Sequence, residues 1–273
     1  MSIRELRHTA ANNIKKGWPE FCFISLLCSG IIAFGYTAIL LVGQITGVSL
    51  NKHELFELSA PPPSFVIPAV IIILAVYVSS IPLYYGIRWF YMQAARGFIA
   101  PLSSLFAMYR SKKTIRACFI TKAATLLSMI RNLALPAAAV YLLSVFFLQF
   151  AESRSRFRFP VLILLGAMIA LLIGYMISIS MDYLFVSYLF TSDPYRKPRD
   201  IIMESRRLFR DNLSPIAKIT ATNCFWLVLA PIVFPLIFII PYVNFIFAVT
   251  LSDLIKPHEQ KEQTFAENIE TTP

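Results

Sequence analysis

Long apolar blocks separated by short basic segments limit what this chain can fold into more than any other feature. About 18 or more successive apolar residues make a helix long enough to cross the hydrocarbon of a bilayer, whereas a buried helix of a water-soluble domain rarely needs so many. Hydrophobic residues make up 57% of the 273 and charged residues 15%, against about 25% charged in a soluble domain. One integral membrane domain over residues 1–255 is therefore predicted, followed by a polar tail, 256–273, read as a disordered cytoplasmic segment.

The blocks predict spans at residues 21–44, 65–85, 115–150 and 160–190. The stretch 216–255 is long enough for two short spans turning at Pro231 and Pro235, with one span plus a re-entrant segment as the alternative. The expected fold is thus all-α: a polytopic transmembrane helix bundle of about six spans. A straight helix over 115–150 would measure about 54 Å against a hydrocarbon core of about 30 Å, so part of it should project from the membrane or bend at Pro136. The first block is read as a retained span and not a cleaved signal, because it outlasts a signal h-region and no A-x-A site follows it.

Three further segments read as amphipathic helices at the membrane surface: 2–17, 101–113 and 194–212. The first opens on an S-x-x-E capping box, Ser2 and Glu5, and repeats Ile3, Leu6, Ala10 and Ile14 at helical spacing before Gly17, Trp18 and Pro19. In the second, Leu102, Leu105, Phe106 and Tyr109 share one helical face after Pro101. The third starts from Ser192, Asp193 and Pro194, carries Ile201, Ile202, Leu208 and Phe209 on one side, and places Glu204, Arg206, Arg207 and Arg210 elsewhere.

The 25 Lys and Arg against 15 Asp and Glu give a net charge of +10. These cations sit at the ends of apolar blocks and form no single soluble basic face, so topology explains them and a nucleic-acid partner is not expected. With six spans, the N-terminus, residues 86–116, residues 196–210 and the tail fall on one side, which the positive-inside rule makes the cytoplasm. The turn from Arg154 to Arg158 is the exception and is placed outside.

The cysteines, Cys22, Cys28, Cys118 and Cys224, have no C-x-x-C spacing, and His8, His53 and His258 lie in separate polar segments, so neither a metal site nor a disulfide framework is indicated. Phosphate-cradling and hydrolase motifs are missing as well. No catalytic residue and no cofactor is assigned.

IRELRHTAANNIKKGW near the start, PLYYG ending the second span, LFAMY, YLFVSYLFTSDP, SRRLFRDN and the late Pro241-Tyr242 extend over almost the whole chain. Together they resemble a family of bacterial multi-spanning membrane proteins, common in Firmicutes, catalogued as domain of unknown function nine-seventy-five. The chain departs from the family's pattern at Asp211, Asn212 and Leu213, where Gly and Asn-Lys are usual, and lacks an aromatic pair after Pro241-Tyr242. The resemblance implies a multi-pass plasma-membrane protein and supplies no mechanism.

Within the apolar blocks, Arg131, Asp182 and Asn244 are the candidate intramembrane polar residues, because an unpaired charge in lipid is costly. Counted from the turn near residue 155, Arg131 and Asp182 lie at similar depths and could pair. The plainer reading lets each snorkel to water. Asn244 either borders a cavity in a proline-broken segment or bonds a neighbouring helix. Gly43 and Gly47 have the G-x-x-x-G spacing of close helix contacts, although at a helix end.

The reading that follows is a non-enzymatic integral protein of the bacterial plasma membrane with a structural or accessory role, meeting anionic lipid headgroups at its cytoplasmic face and an unidentified membrane protein partner. The alternative is a permease or export component with a polar pathway near Asp182 and Asn244. An intramembrane enzyme comes third, since Asp182 has no second carboxylate at matching depth.

Overall fold

Prolines and glycines punctuate this chain where helix geometry tolerates them. Pro19 falls in the first turn of helix α1 (Trp18–Ile45) and Pro63 opens helix α2 (Pro63–Ala95), positions whose N–H would have no intrahelical partner anyway. Both helices close on a glycine of positive φ, Gly47 at 70° and Gly97 at 90°. After α2, Gly97 N–H bonds to Ala94 O and Phe98 N–H to Gln93 O, at 3.0 Å each, the paired capping bonds of a Schellman motif. Gly47 therefore stops its helix and does not form a helix-contact surface: a Cβ added there would meet nothing within 4 Å.

The computed structural model describes residues 12, 17–47, 62–98, 100–153, 158–227 and 241–255. Among them are helices α3 (Lys112–Ser153), α4 (Arg158–Asp182), α5 (Val186–Ser192), α6 (Pro198–Asp211), α7 (Leu213–Leu227) and α8 (Pro241–Ile255), with a 3-10 helix at Leu102–Tyr109 and no strand. Four stretches are long and apolar enough to cross a membrane: α1, α2, Lys112–Phe147 and Phe159–Ser192. The predicted helix 2–17, the prolines Pro231 and Pro235, the turn at Arg154 and Arg156, and the tail 256–273 lie outside the described residues, save for Asn12 and Gly17.

Contacts divide the chain into two units, Met1–Ile115 with Ala217–Pro273, and Arg116–Ile216. In the first unit α2 packs against α1 and against the 3-10 helix. Phe21, 2% exposed, anchors the core: its ring lies edge-on to Phe90 and Phe245, with centroids 5.6 and 5.5 Å away, and stacks on Tyr91 at 5.6 Å. Aromatic pairs of this geometry add to the free energy of burying their area.

Gly86 is where α2 meets the 3-10 helix backbone to backbone. A Cβ there would stand 1.9 Å from the Leu105 carbonyl oxygen. The segment was expected as an amphipathic surface helix over 101–113 with Leu102, Leu105, Phe106 and Tyr109 on one face; it is a 3-10 helix ending at Tyr109, with Ser104, Leu105 and Met108 buried and Phe106 and Tyr109 exposed. Three residues per turn align Leu105 with Met108, and these two face the protein while Phe106 and Tyr109 face outward. Nearby, Pro82 interrupts the α2 ladder, and side chains supply extra donors to adjacent carbonyls: Ser79 Oγ to Val76 O, Ser80 Oγ to Tyr77 O and Tyr109 Oη to Ser79 O. Such substitutes let proline sit inside an apolar helix.

In the second unit α3 runs unbroken through Pro136, and Phe147 packs against Val161 and Leu165 of α4. The fourth apolar block, expected as one span over 160–190, is one apolar stretch, Phe159–Ser192, whose α-helical winding is interrupted after Asp182. Tyr183 N–H bonds to Ser180 O, Leu184 N–H to Met181 O and Val186 N–H to Tyr183 O, a tightening to three-residue turns before α5 begins. Helix α6 packs on α4 and α5, burying Ile201, Ile202, Ser205, Leu208 and Phe209. It begins four residues later than Pro194 suggested, because Asp193 Oδ1 accepts from Tyr195 N–H at 3.1 Å, which closes an Asx turn. Pro198 then takes the first helical turn.

Candidate functional site

The interruption after Asp182 exposes backbone groups that the fold must satisfy, and α6 provides the means. Ser205 is buried on the inner side of α6, and its hydroxyl donates to Asp182 O at 2.9 Å. A carbonyl at a helix end would otherwise lack a partner.

One residue further, Tyr183 gathers the polar groups of the second unit. Its hydroxyl donates to Ser128 Oγ at 2.8 Å and accepts from Asn132 Nδ2 at 2.9 Å and from Arg206 Nη2. One donated and two accepted bonds are the whole capacity of a phenol. The Arg206 guanidinium also lies over the Tyr183 ring, 4.8 Å from its centroid, a cation–π contact. Ser128 and Asn132 are four residues apart on α3 and so share a face.

Pairing of Asp182 with Arg131 was one of two readings, the plainer being that each reaches water. Arg131 is exposed. Asp182 Oδ2 instead lies 3.8 Å from Arg210 Nη2 on α6, the carboxylate side chain 17% exposed and the arginine 71%. The reason is angular: Asn132, and not its neighbour Arg131, occupies the α3 face turned toward Tyr183. At that distance and exposure the ion pair contributes little to stability.

Around these groups is a cavity of about 360 Å3. Its polar wall comprises Asn132, Tyr175, Ser178, Asp182, Arg206 and Arg210, and Ile179, Phe209 and Leu213 complete it. Arg206 Nε is buried without a hydrogen-bond partner. Two guanidinium groups thus face one carboxylate.

Asn244 belongs to the first unit, where its Oδ1 accepts from Arg88 Nη1. Arg88 in turn lies 5.0 Å over the Tyr84 ring. The amide therefore links α8 to α2, the second of the two roles considered for it. The helix of the second predicted span, 65–85, runs on to Ala95, and Arg88 finds these partners within the fold.

Ser128, Asn132, Tyr183 and Arg206 were not singled out from sequence. The i, i+4 spacing of Ser128 and Asn132 inside an apolar block was the available signal, whereas Arg206 is one of several cations on a basic helix. Among the described residues no three His, Cys, Asp or Glu side chains come together as a metal would require, and Cys22, Cys28 and Cys118 are free thiols. No protein-family profile, curated protein or solved structure matches the chain.

Proposed function

We propose that this chain is a non-enzymatic integral protein of the bacterial plasma membrane, a member of the family it resembles, with a structural or accessory role. The observation that carries this reading is the use of its polar side chains: Ser128, Asn132, Tyr183 and Ser205 are spent on joining helices, and no reactive pair is left over among them. The four apolar helices and the large apolar side chains on their outer surfaces, Ile32, Ile71, Leu135 and Leu171 among them, suit a lipid solvent.

In the proposed topology six spans place the segments 86–116 and 196–210 in the cytoplasm, with α7 and α8 contributing to the last two spans. Helix α6 lies at the inner surface, where its exposed Arg210 meets anionic headgroups.

Two measurements test the reading. A cysteine at Ser111 in an otherwise cysteine-free chain should react with an impermeant maleimide only after the membrane is opened; labelling of intact cells would reverse the orientation. Purification from native membranes should recover a reproducible protein partner, and repeated recovery of the chain alone would count against an accessory role.

The permease reading is favoured by one observation, the Asp182-lined cavity. A transport pathway would make a cysteine at Ser178 accessible from both sides of the membrane. Labelling from one side only would exclude it.

A further inference from the structure

We infer that the cavity between α3, α4 and α6 binds a phosphate group, with Arg206 as its principal ligand. This rests on the proposed membrane setting only for the source of the phosphate. The chemistry stands on the cavity itself.

Arg206 is held before any ligand arrives. Its Nη2 is engaged by Tyr183 Oη, and its guanidinium plane lies on the Tyr183 ring. Tyr183 is fixed in turn by Ser128 and Asn132. An arginine so placed loses little side-chain entropy on binding, and its planar fork matches phosphate oxygens. The Nε–H of this cavity-lining arginine is buried and unpartnered, and burying such a donor unsatisfied is costly.

Arg210 brings a second cation to the same cavity, and the loose 3.8 Å contact with Asp182 leaves most of its donors available. With one carboxylate against two guanidinium groups, the cavity keeps a positive charge and favours an anion. Asn132 and Ser178 add neutral polar groups. No metal-binding cluster competes for this role among the described residues.

The cavity's shape bears on the source. Its wall follows α4 from Tyr175 to Asp182, a rise of about 10 Å at 1.5 Å per residue. Ile179, Phe209 and Leu213 supply the apolar part of that wall. The volume, about 360 Å3, is near the lower end of ligand pockets, roughly 300–1,000 Å3. A phosphate with its glycerol fits, and acyl chains would run outward along apolar helices. A soluble phosphate ion would use the same donors.

The test uses the full chain in detergent and in nanodiscs. Inorganic phosphate, glycerol 3-phosphate, phosphatidylglycerol and phosphatidylcholine are compared by native mass spectrometry, with tryptophan fluorescence as a check on folding. The wild type should retain phosphatidylglycerol over phosphatidylcholine, or else bind inorganic phosphate; the first result assigns a lipid source and the second a soluble one. Arg206→Gln should weaken binding about tenfold or more, as loss of a charge-assisted hydrogen bond does.

Because Arg206 also steadies Tyr183, a variant acting in the opposite direction is needed. Asp182→Asn removes the competing carboxylate and should strengthen binding several-fold. Arg207→Gln, on the exposed side of α6 beside Asp211, should change nothing. Equal weakening by Arg207→Gln and Arg206→Gln would reduce the effect to diffuse charge and overturn the site, as would no change with Asp182→Asn. Retention of none of the four probes would overturn it too. Failure to recover a protein partner, by contrast, bears on the accessory role alone.

Discussion

Asn132 donates its amide to the Tyr183 hydroxyl at 2.9 Å, joining two residues 51 positions apart in sequence. The bond fastens the middle of α3 to the point where the helical winding of the fourth apolar block is interrupted. In a lipid surrounding neither group can turn to water, so the loss of one leaves the other to find a new partner.

Tyr183→Phe should therefore lower stability by about 1–2 kcal/mol, since three polar groups lose their common partner. Tyr175→Phe, whose hydroxyl reaches Asn132 O only at 3.5 Å, should cost less than about 0.5 kcal/mol, a surface-scale effect. Thermal unfolding of the detergent-solubilised chain measures both. Equal shifts in Tm would show that the Tyr183 cluster contributes nothing particular.

Gly86→Ala should prevent close association of α2 with the 3-10 helix, because the new methyl group would collide with the Leu105 carbonyl 1.9 Å away. A loss of about 3 kcal/mol or more is expected from such overpacking against backbone. Gly30→Ala, with open space around it within α1, should be neutral or stabilise by up to about 1 kcal/mol. Comparing Tm for the two variants separates local crowding from a general glycine effect.

Charge reversal distinguishes the two possible partners of Asp182. Asp182→Arg should reduce the amount of folded protein in membranes, and adding Arg210→Asp should restore part of it. Adding Arg131→Asp should not, because Arg131 is exposed and Arg210 makes the ion pair. Rescue by Arg131→Asp alone would mean that the pairing differs in the membrane.

Phe21→Ala should cost about 3–5 kcal/mol, the range for removing a buried aromatic ring, since its side chain meets Phe90, Tyr91 and Phe245 at once. Phe34→Ala, on the exposed side of the same helix at 70%, should leave Tm in detergent nearly unchanged. A chemical-denaturation series on both variants gives the comparison.

How much of this was legible in the sequence depended on charge and period. Apolar blocks located the long helices to within a few residues at α1, where Pro19 and Gly47 mark the ends, and charge alone drew attention to Asp182. Of the neutral polar residues, Asn244 stood out beside its prolines, whereas Ser128 and Asn132 did not. Ser128 and Asn132 leave their block apolar enough to span a membrane, and their value comes from Tyr183, which lies far along the chain. The same limit hid the role of Arg88: a cation read as the edge of a span proves to be inside a helix, because Asn244 and Tyr84 meet it from places no local window includes. The 3-10 helix at Leu102–Tyr109 escaped for a different reason, as a 3.0-residue repeat over so few turns looks much like one of 3.6.

The seat of Gly86 on Leu105 also limits which motions are open to α2. A slide of the helix along its own axis would move Gly86 out from under the Leu105 carbonyl and carry toward it the side chains a turn away on the same face, Leu83 or Phe90. Axial sliding is blocked in both directions, as by a key in its slot. Any rearrangement of this helix must then carry the 3-10 helix with it, so that a push on Leu102–Tyr109 from outside would be delivered to α2 as a tilt.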